Sequence, residues 1–285
     1  EFIESYRIPV PPLPEQQRIV AILDEAFEGI ATAKAKVEES LRDANDLHES
    51  VAVEAFAGGL TDQWRRANGT PESASEHLGV ALAERRTRWT GAERCTERRP
   101  PIVGNRVILP TGWVMACPDQ FSTHIIDCPH STPAWTTAGP VCLRTTNFRR
   151  GFLDLEARHF VSEETYRERT QRLVPQHGDV LLSREGGILG VACVMPDGLR
   201  ACLGQRMMLF RVDTRTILPE YFAGVLNSRL IQSEIKRLTG GAASPHLNVR
   251  STKSLPIPLP PIAEQREIVR RLGLLTAEIR RLTSM

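Results

Sequence analysis

Several signals that would assign this 285-residue chain to a familiar class are missing from its sequence. It has no apolar run long enough to span a membrane and no signal peptide, so we expect a cytoplasmic protein without a membrane partner. Its six cysteines include no Cys-x-x-Cys pair. The spacing of Cys117, His124, Cys128 and His130 matches no common zinc finger or ribbon, which favours scattered reduced thiols and no metal site.

Motifs of enzymes that act on DNA or nucleotides are also missing. The Asp/Asn-Pro-Pro-Tyr/Phe motif typical of DNA amino-methyltransferases does not occur, and the glycine-rich residues 186–190 lack the lysine of a phosphate-binding loop. Asp197 with Glu234 and Lys236 could suggest a metal-dependent nuclease. Such carboxylates converge from strand ends, whereas Glu234 lies within a predicted helix. The sequence therefore predicts a non-catalytic chain with no cofactor of its own.

Charge is nearly balanced, with 36 basic residues, 34 acidic residues and a formal net charge of +2. No polybasic tail indicates a nucleic-acid partner. Lysine is scarce, because only Lys34, Lys36, Lys236 and Lys253 occur and the other basic residues are arginine. Arginine suits bidentate contacts with phosphate and guanine, although a genome rich in arginine codons would give the same bias.

The most informative feature is a phrase that occurs twice. Residues 8–23 read IPVPPLPEQQRIVAIL, and residues 257–272 read IPLPPIAEQREIVRRL. Consecutive prolines favour an extended segment, and Glu15 and Glu264 behind them suit the positive end of a helix dipole. A proline-then-helix unit on both sides of one long segment predicts a scaffold built twice.

Apolar residues continue behind each copy in alternating steps of four and three. They run from Ile19 to Val37 in the first copy and from Ile268 to Leu282 in the second, which is the heptad pattern of a coiled coil. The first pattern takes one extra step of four at Leu41 and ends at a glycine pair. Two amphipathic helices in one core are the alternative, and the matched register and proline leaders favour coiled-coil pairing.

Five phrases, in this order, resemble conserved regions of type I restriction-modification specificity subunits. They are the first proline phrase, residues 48–65, residues 109–113, residues 177–183 and the second proline phrase. They span the chain from about residue 5 to its end. The resemblance implies a subunit that reads double-stranded DNA and binds adenine methyltransferase subunits, which carry S-adenosylmethionine. It also implies that translocating restriction subunits join them.

The predicted fold class is α+β, with a mixed α/β target-recognition domain flanked by long heptad-patterned helices that pair as a coiled coil. The predicted parts are a remnant of a preceding recognition domain (1–11), a central long helix (12–57), a connector with a short helix (58–104), the DNA target-recognition domain (105–256) and the start of a second long helix (257–285). Since the chain begins at Glu1 and residues 1–6 have no domain of their own to belong to, we expect a truncated subunit rather than a self-pairing half subunit.

Within the recognition domain, short apolar runs between turns predict strands at residues 141–144, 180–182, 191–194 and 207–212. Residues 219–238 predict one helix, which ends at Gly240 and Gly241. Arg167, Arg169 and Arg172 alternate with glutamates, which indicates a solvated helix face.

Side chains that read bases belong on loops and strand ends held by a rigid core. Arginine and asparagine bond to guanine and adenine edges, and glycine lets a turn approach its partner closely. For Asn147 and Arg184 a structural role is an equal alternative. The predicted DNA contacts are Arg144, Thr145, Thr146, Asn147, Arg149, Arg150, Ser183, Arg184, Gln205, Arg206 and His246.

The two repeated helices carry the predicted subunit contacts, which are Glu15, Gln16, Ile19, Leu23, Glu264, Gln265, Ile268 and Leu272. Two alternatives stay open at this point. The chain could be a coiled-coil assembly scaffold whose central domain binds protein rather than DNA. It could also read DNA within a fused restriction-and-methylation system.

Overall fold

A computed structural model describes residues 9–69, 73–88, 108–240 and 245–283. Contacts divide the chain into two compact units, one formed by Glu49–Ala277 and the other by the segments on either side of it. Most of the predicted domain remnant and the connector residues 89–104 lie outside the described residues. In the described part of the chain, no helix is long and apolar enough to cross a membrane.

Helices form where the apolar pattern repeats every three or four residues. The longest one stops before Gly58, whose φ of +89° suits a helix C-terminus. The helices are α1 (Leu13–Ala57), α2 (Asp62–Asn68), α3 (Ala74–Arg88), α4 (Pro118–Phe121), α5 (Glu163–Thr170), α6 (Pro219–Asn227), α7 (Arg229–Thr239), α8 (Val249–Lys253) and α9 (Ile262–Thr283).

The strands of the described residues all lie between α3 and α9. They are β1 (Val114–Ala116), β2 (Ser122–Asp127), β3 (Thr136–Leu143), β4 (Phe148–Arg149), β5 (Phe152–Leu153), β6 (Val180–Ser183), β7 (Ala192–Val194), β8 (Ala201–Leu203), β9 (Met207–Val212) and β10 (Ile257–Leu259). Strands β2, β9, β6 and β7 form an antiparallel sheet in that order. Strands β3 and β8 form a parallel pair, and β1–β10 and β4–β5 are antiparallel pairs.

The four strand predictions are confirmed as β3, β6, β7 and β9, but the single helix over 219–238 is wrong. Ser228 interrupts it with an extended ψ of 153°, and its hydroxyl donates to the Val225 carbonyl over 2.6 Å. Serine competes with helical hydrogen bonds in this way, so α6 ends and α7 begins there. The second proline leader is extended, as predicted, but Pro258 also pairs with Met115 in the β1–β10 ladder.

The four-stranded sheet is buried on both faces, and each strand contributes to both cores since its successive residues point to opposite sides. On β6, Val180 and Leu182 join a core with α6 and α7, whereas Leu181 joins a second core with β3 and β8. Phe56, near the end of α1, packs edge to face against Tyr221 of α6 at 5.6 Å. The Glu49–Ala277 unit is therefore a layered α+β domain.

The other unit contains the first part of α1. Its heptad residues are exposed, with Ile19 at 42%, Leu23 at 47%, Ile30 at 63% and Val37 at 59% of their accessible area. The seam is thus an apolar stripe open to solvent on this chain, and its pairing in a coiled coil stays a prediction.

Candidate nucleic-acid interface

Strand register brings separate sequence segments to one edge of the Glu49–Ala277 unit. Ser183, at the end of β6, pairs with Met207 at the start of β9, and Leu143 pairs with Leu203 at the ends of β3 and β8. The Gly204 N–H donates to the Leu143 carbonyl over 2.9 Å. The turn before β9 is tied to the turn after β6, because the Arg184 N–H donates to the Arg206 carbonyl over 2.8 Å. The residues that follow β3, β6 and β8 therefore meet.

Polar side chains extend from this edge. Arg144 is exposed directly after β3, and Gln205 Nε2 donates to the His130 carbonyl over 2.7 Å. Two more predicted contacts, His246 and Arg206, lie beside Glu185. Its carboxylate is 2.8 Å from His246 Nδ1 and 3.6 Å from Arg206 Nε. Arginine, glutamine and histidine nitrogens can all donate hydrogen bonds to an acidic or base-edge partner.

The β4–β5 hairpin lies beside β7, where the Gly151 N–H donates to the Ala192 carbonyl over 2.9 Å. Arg149 forms an ion pair with Asp154 at 2.7 Å, and Arg150 forms one with Glu49. Of the neighbouring predicted contacts, Thr146 is exposed and Thr145 is half-buried. The two arginines are thus at the surface, but carboxylates of the same chain already neutralise them.

Three predicted DNA contacts are buried, which corrects their placement at the surface. Asn147 accepts the Arg144 N–H over 2.9 Å and donates to the carbonyls of Asp154 and Ala157. Arg184 is 2% exposed, and its Nη1 lies 3.3 Å from Asp127 Oδ1. The buried Ser183 hydroxyl donates to the Glu185 carbonyl over 3.3 Å. These buried side chains contact the neighbouring backbone and Asp127, so their role is structural.

Among the predicted subunit contacts, Glu264 is also buried, and its carboxylate binds within its own chain. Oε1 accepts the Thr61 hydroxyl over 2.6 Å and a hydrogen bond from Arg65, and Oε2 accepts the Trp113 indole N–H over 2.8 Å. The predicted role at a subunit interface is therefore corrected. Glu264 joins the start of α9 to α2 and to the segment before β1.

Gln265 and Ile268 are likewise fully buried in this unit, whereas Leu272 is half-buried. Gln265 Nε2 donates to the Pro260 carbonyl over 2.9 Å, five positions back. In the first copy of the phrase, Gln16 Nε2 makes the same bond to the Pro11 carbonyl over 2.7 Å. The repeat thus has a local structural cause, since the glutamine secures the proline leader to its helix. Glu15 and Gln16 are half-buried, and Ile19 and Leu23 are exposed.

Two side chains beside Arg144 were not among the predicted contacts. The Trp135 ring is 42% exposed and lies 5.1 Å from the His159 ring. Both contact the Arg144 guanidinium. The sequence offers one sign of Trp135, a tryptophan that directly follows the loop-like segment Ser-Thr-Pro-Ala. It does not show the contact with Arg144, which lies nine positions further along the chain.

The described thiols are buried. Burial raises the pKa of the Cys193 thiol well above its usual range. Cys142 faces Cys202 across the β3–β8 pair, and the hydrogen bond between them lowers the pKa of Cys142 and raises that of Cys202. In the residues that the structure describes, no group of three or more His, Cys, Asp or Glu side chains could hold a metal ion.

Comparison with known proteins gives consistent results over most of the chain. The model of the type I restriction modification DNA specificity domain matches residues 1–41 and 145–283. The specificity subunit of the type I restriction enzyme EcoBI from Escherichia coli is 23% identical, across 96% of this chain and 52% of the relative. That of MjaVIII from Methanocaldococcus jannaschii is 21% identical, across 95% of this chain and 56% of the relative. This chain spans about half of their length.

Solved structures show the same fold. The HsdS subunit from Thermoanaerobacter tengcongensis matches 97% of this chain and 54% of its own, with a TM-score of 0.52 and 21% identity. A structure described as showing complex assembly and conformational transition of the type I R-M system matches 97% of this chain and 55% of its own. Its TM-score is 0.59 and its identity 20%. Because the family model covers more than half of the sequence, the chain belongs to the type I restriction-modification DNA specificity family.

Proposed function

We propose that this chain is a non-catalytic DNA recognition subunit that reads one half of a bipartite target. The observation that carries the proposal is the convergence of Arg144, Gln205, Arg206 and His246 at one edge of a domain of this family. These segments are distant in sequence but adjacent through strand register. Arginine and glutamine are residue types that discriminate between base edges in the major groove.

The long helices then set the distance between reading modules and bind the other subunits. Helix α1 has 45 residues, which at 1.5 Å per residue is about 68 Å or roughly two turns of duplex DNA. Its exposed apolar stripe is suited to a partner helix. The proposed partners are methyltransferase subunits, which supply S-adenosylmethionine, and restriction subunits, all in the cytoplasm.

The test is a methylome. The chain is co-expressed with the methyltransferase encoded beside it in a host without DNA modification, and methyladenine is mapped by single-molecule sequencing. We expect a defined target in which one half disappears in the Arg144→Ala/Arg206→Ala double variant. The matched control is Arg167→Ala, because Arg167 is an exposed arginine on α5 that is not among the predicted DNA contacts.

Each outcome decides between models. Loss of one half-target in the double variant, with Arg167→Ala unchanged, supports the proposal. Methylation without sequence preference would contradict it. A complex that assembles without methylating DNA would instead favour a scaffold whose central domain binds protein.

A further inference from the structure

Trp135, His159 and Arg144 form a compact cluster at the proposed DNA edge. The Arg144 guanidinium carbon lies 5.8 Å from the centre of the Trp135 ring. Arg144 Nη1 lies 3.2 Å from His159 Nε2. The Trp135 and His159 rings meet edge to face at 5.1 Å. The arginine is thus held by two rings instead of extending freely into solvent.

A bend in β3 creates this cluster. Trp135 precedes the strand and Arg144 follows it, so a straight strand would separate them by about 30 Å. The bend lies at Gly139, whose φ is +133° and whose added Cβ would lie 2.3 Å from the Val161 carbonyl oxygen. As a result, both Thr136 and Val141 pair with Phe160.

The cluster orients Arg144 without neutralising it. Among the described residues, no carboxylate forms an ion pair with Arg144. Its hydrogen-bond partner is an imidazole rather than a carboxylate, and because a guanidinium only donates, His159 Nε2 is the acceptor. Arg149 and Arg150 on the β4–β5 hairpin differ, since each forms a hydrogen-bonded ion pair with a carboxylate. Arg206 Nε lies 3.6 Å from Glu185, beyond hydrogen-bond distance. Arg144 keeps both its charge and the donors of its Nη2 and Nε groups.

Resting on the proposed function, we propose that Arg144 reads a guanine in the major groove and that Trp135 and His159 are its positioning residues. A planar guanidinium binds guanine O6 and N7 with two parallel hydrogen bonds. That contact needs a fixed side-chain direction, because freezing a flexible arginine at binding is entropically unfavourable. The cation–π contact with Trp135 and the imidazole acceptor provide the direction without the competing carboxylate that an ion pair would bring.

The chain contains a matched control, a second arginine that contacts an aromatic ring. Arg200 stacks on Tyr166 at 4.4 Å, but its guanidinium is bound by both oxygens of Glu163 at 2.5 and 2.7 Å. This arginine is oriented and neutralised, so it should not read a base. Arg200→Ala therefore removes a stacked arginine without removing a reader.

The experiment is selection of binding sites from a random duplex library by the full chain with its methyltransferase, followed by sequencing. We expect guanine at one position, with its preference reduced roughly 5- to 150-fold in Arg144→Ala. Trp135→Ala should relax the same position, and Trp135→Phe should restore it because phenylalanine keeps a stacking face. Arg200→Ala should leave the motif unchanged. Melting temperatures of all variants confirm that they fold.

Three results would overturn the inference. If Arg144→Ala lowers affinity for all sequences equally and reduces the salt dependence, Arg144 binds a phosphate. If wild type selects a motif and neither Arg144→Ala nor Trp135→Ala changes it, the assignment of Arg144 to a guanine fails but DNA recognition by the chain stands. If wild type itself selects no motif, the proposed function fails together with it.

Discussion

Arg206 combines an exposed side chain with a backbone conformation that non-glycine residues rarely adopt. Its φ is +64°, in the left-handed region, where the Cβ of an L residue crowds the next carbonyl at a cost of about 1–2 kcal/mol. The guanidinium is 60% exposed. Strain retained at a residue whose side chain faces solvent motivates the hypothesis that the side chain has a function.

Two substitutions separate the strain from the function. We expect Arg206→Gly and Arg206→Ala to weaken DNA binding to the same degree, because both remove the guanidinium. Glycine adopts this φ without the steric penalty, so the glycine variant should exceed the alanine variant in free energy of unfolding by about 1 kcal/mol. Chemical denaturation and DNA titration measure the two effects. Equal stabilities would show that the turn is unstrained, and unchanged affinity would exclude Arg206 from the interface.

Residue types are readable from the sequence, whereas burial is not. Arg184 and Arg206 are both arginines in turns next to strands, yet Arg184 is 2% exposed and the Arg206 side chain is 60% exposed. Arg184 is buried beside Asp127, which the β2–β9 ladder brings to 3.3 Å from its Nη1 and which lies 57 positions earlier in the chain. Trp135 was missed for a similar reason, because only the bend at Gly139 brings it to Arg144.

At the scale of elements, the start of α9 depends on one buried carboxylate. Glu264 is 1% exposed and accepts hydrogen bonds from Thr61, Arg65 and Trp113. The Arg65 side chain is itself only 13% exposed. Removing one member of a buried ion pair leaves the other charged and desolvated, at a cost of about 3–5 kcal/mol.

We therefore expect Glu264→Ala to lower the free energy of unfolding of the Glu49–Ala277 unit by about 3–5 kcal/mol. The control is Glu278→Ala on the same helix. Glu278 forms an exposed pair with Arg281, and such a pair contributes at most about 1 kcal/mol. Denaturant unfolding followed by tryptophan fluorescence compares the variants, since Trp113 contacts Glu264 directly. Similar losses in both variants would show that the buried carboxylate has no special structural role.

The elements that sequence patterns predicted are those in which side-chain periodicity coincides with burial. Strand β9 has its predicted bounds because five of its six residues alternate between two cores, all except Arg211. The pattern missed the break at Ser228, since apolar spacing continues across it. It also missed β10, because consecutive prolines disfavour a ladder. A two-stranded pair leaves one side of each strand unpaired and accommodates Pro258.

At the scale of the whole molecule, the heptad residues of α1 form an apolar stripe that no other element covers in the part of the chain that the structure describes. Leu23 is 47% and Ile30 is 63% exposed. Contiguous exposed apolar surface of this kind marks an interaction site. The heptad spacing specifies a helical partner, because knobs-into-holes packing requires a matching seam. The stripe is therefore the expected attachment site of another subunit, whereas the Glu49–Ala277 unit has its own core.

We expect the Leu23→Gln/Ile30→Gln double variant to lose co-purification with the methyltransferase subunit, since each glutamine removes apolar area that pairing would bury. The melting temperature of the Glu49–Ala277 unit should stay unchanged, because neither residue belongs to its core. Val80→Gln is the matched control: Val80 is 57% exposed on α3, outside the α1 stripe. If the double variant still co-purifies with the methyltransferase subunit, that subunit attaches elsewhere. If Val80→Gln also abolishes co-purification, binding depends on general surface hydrophobicity instead of the heptad seam.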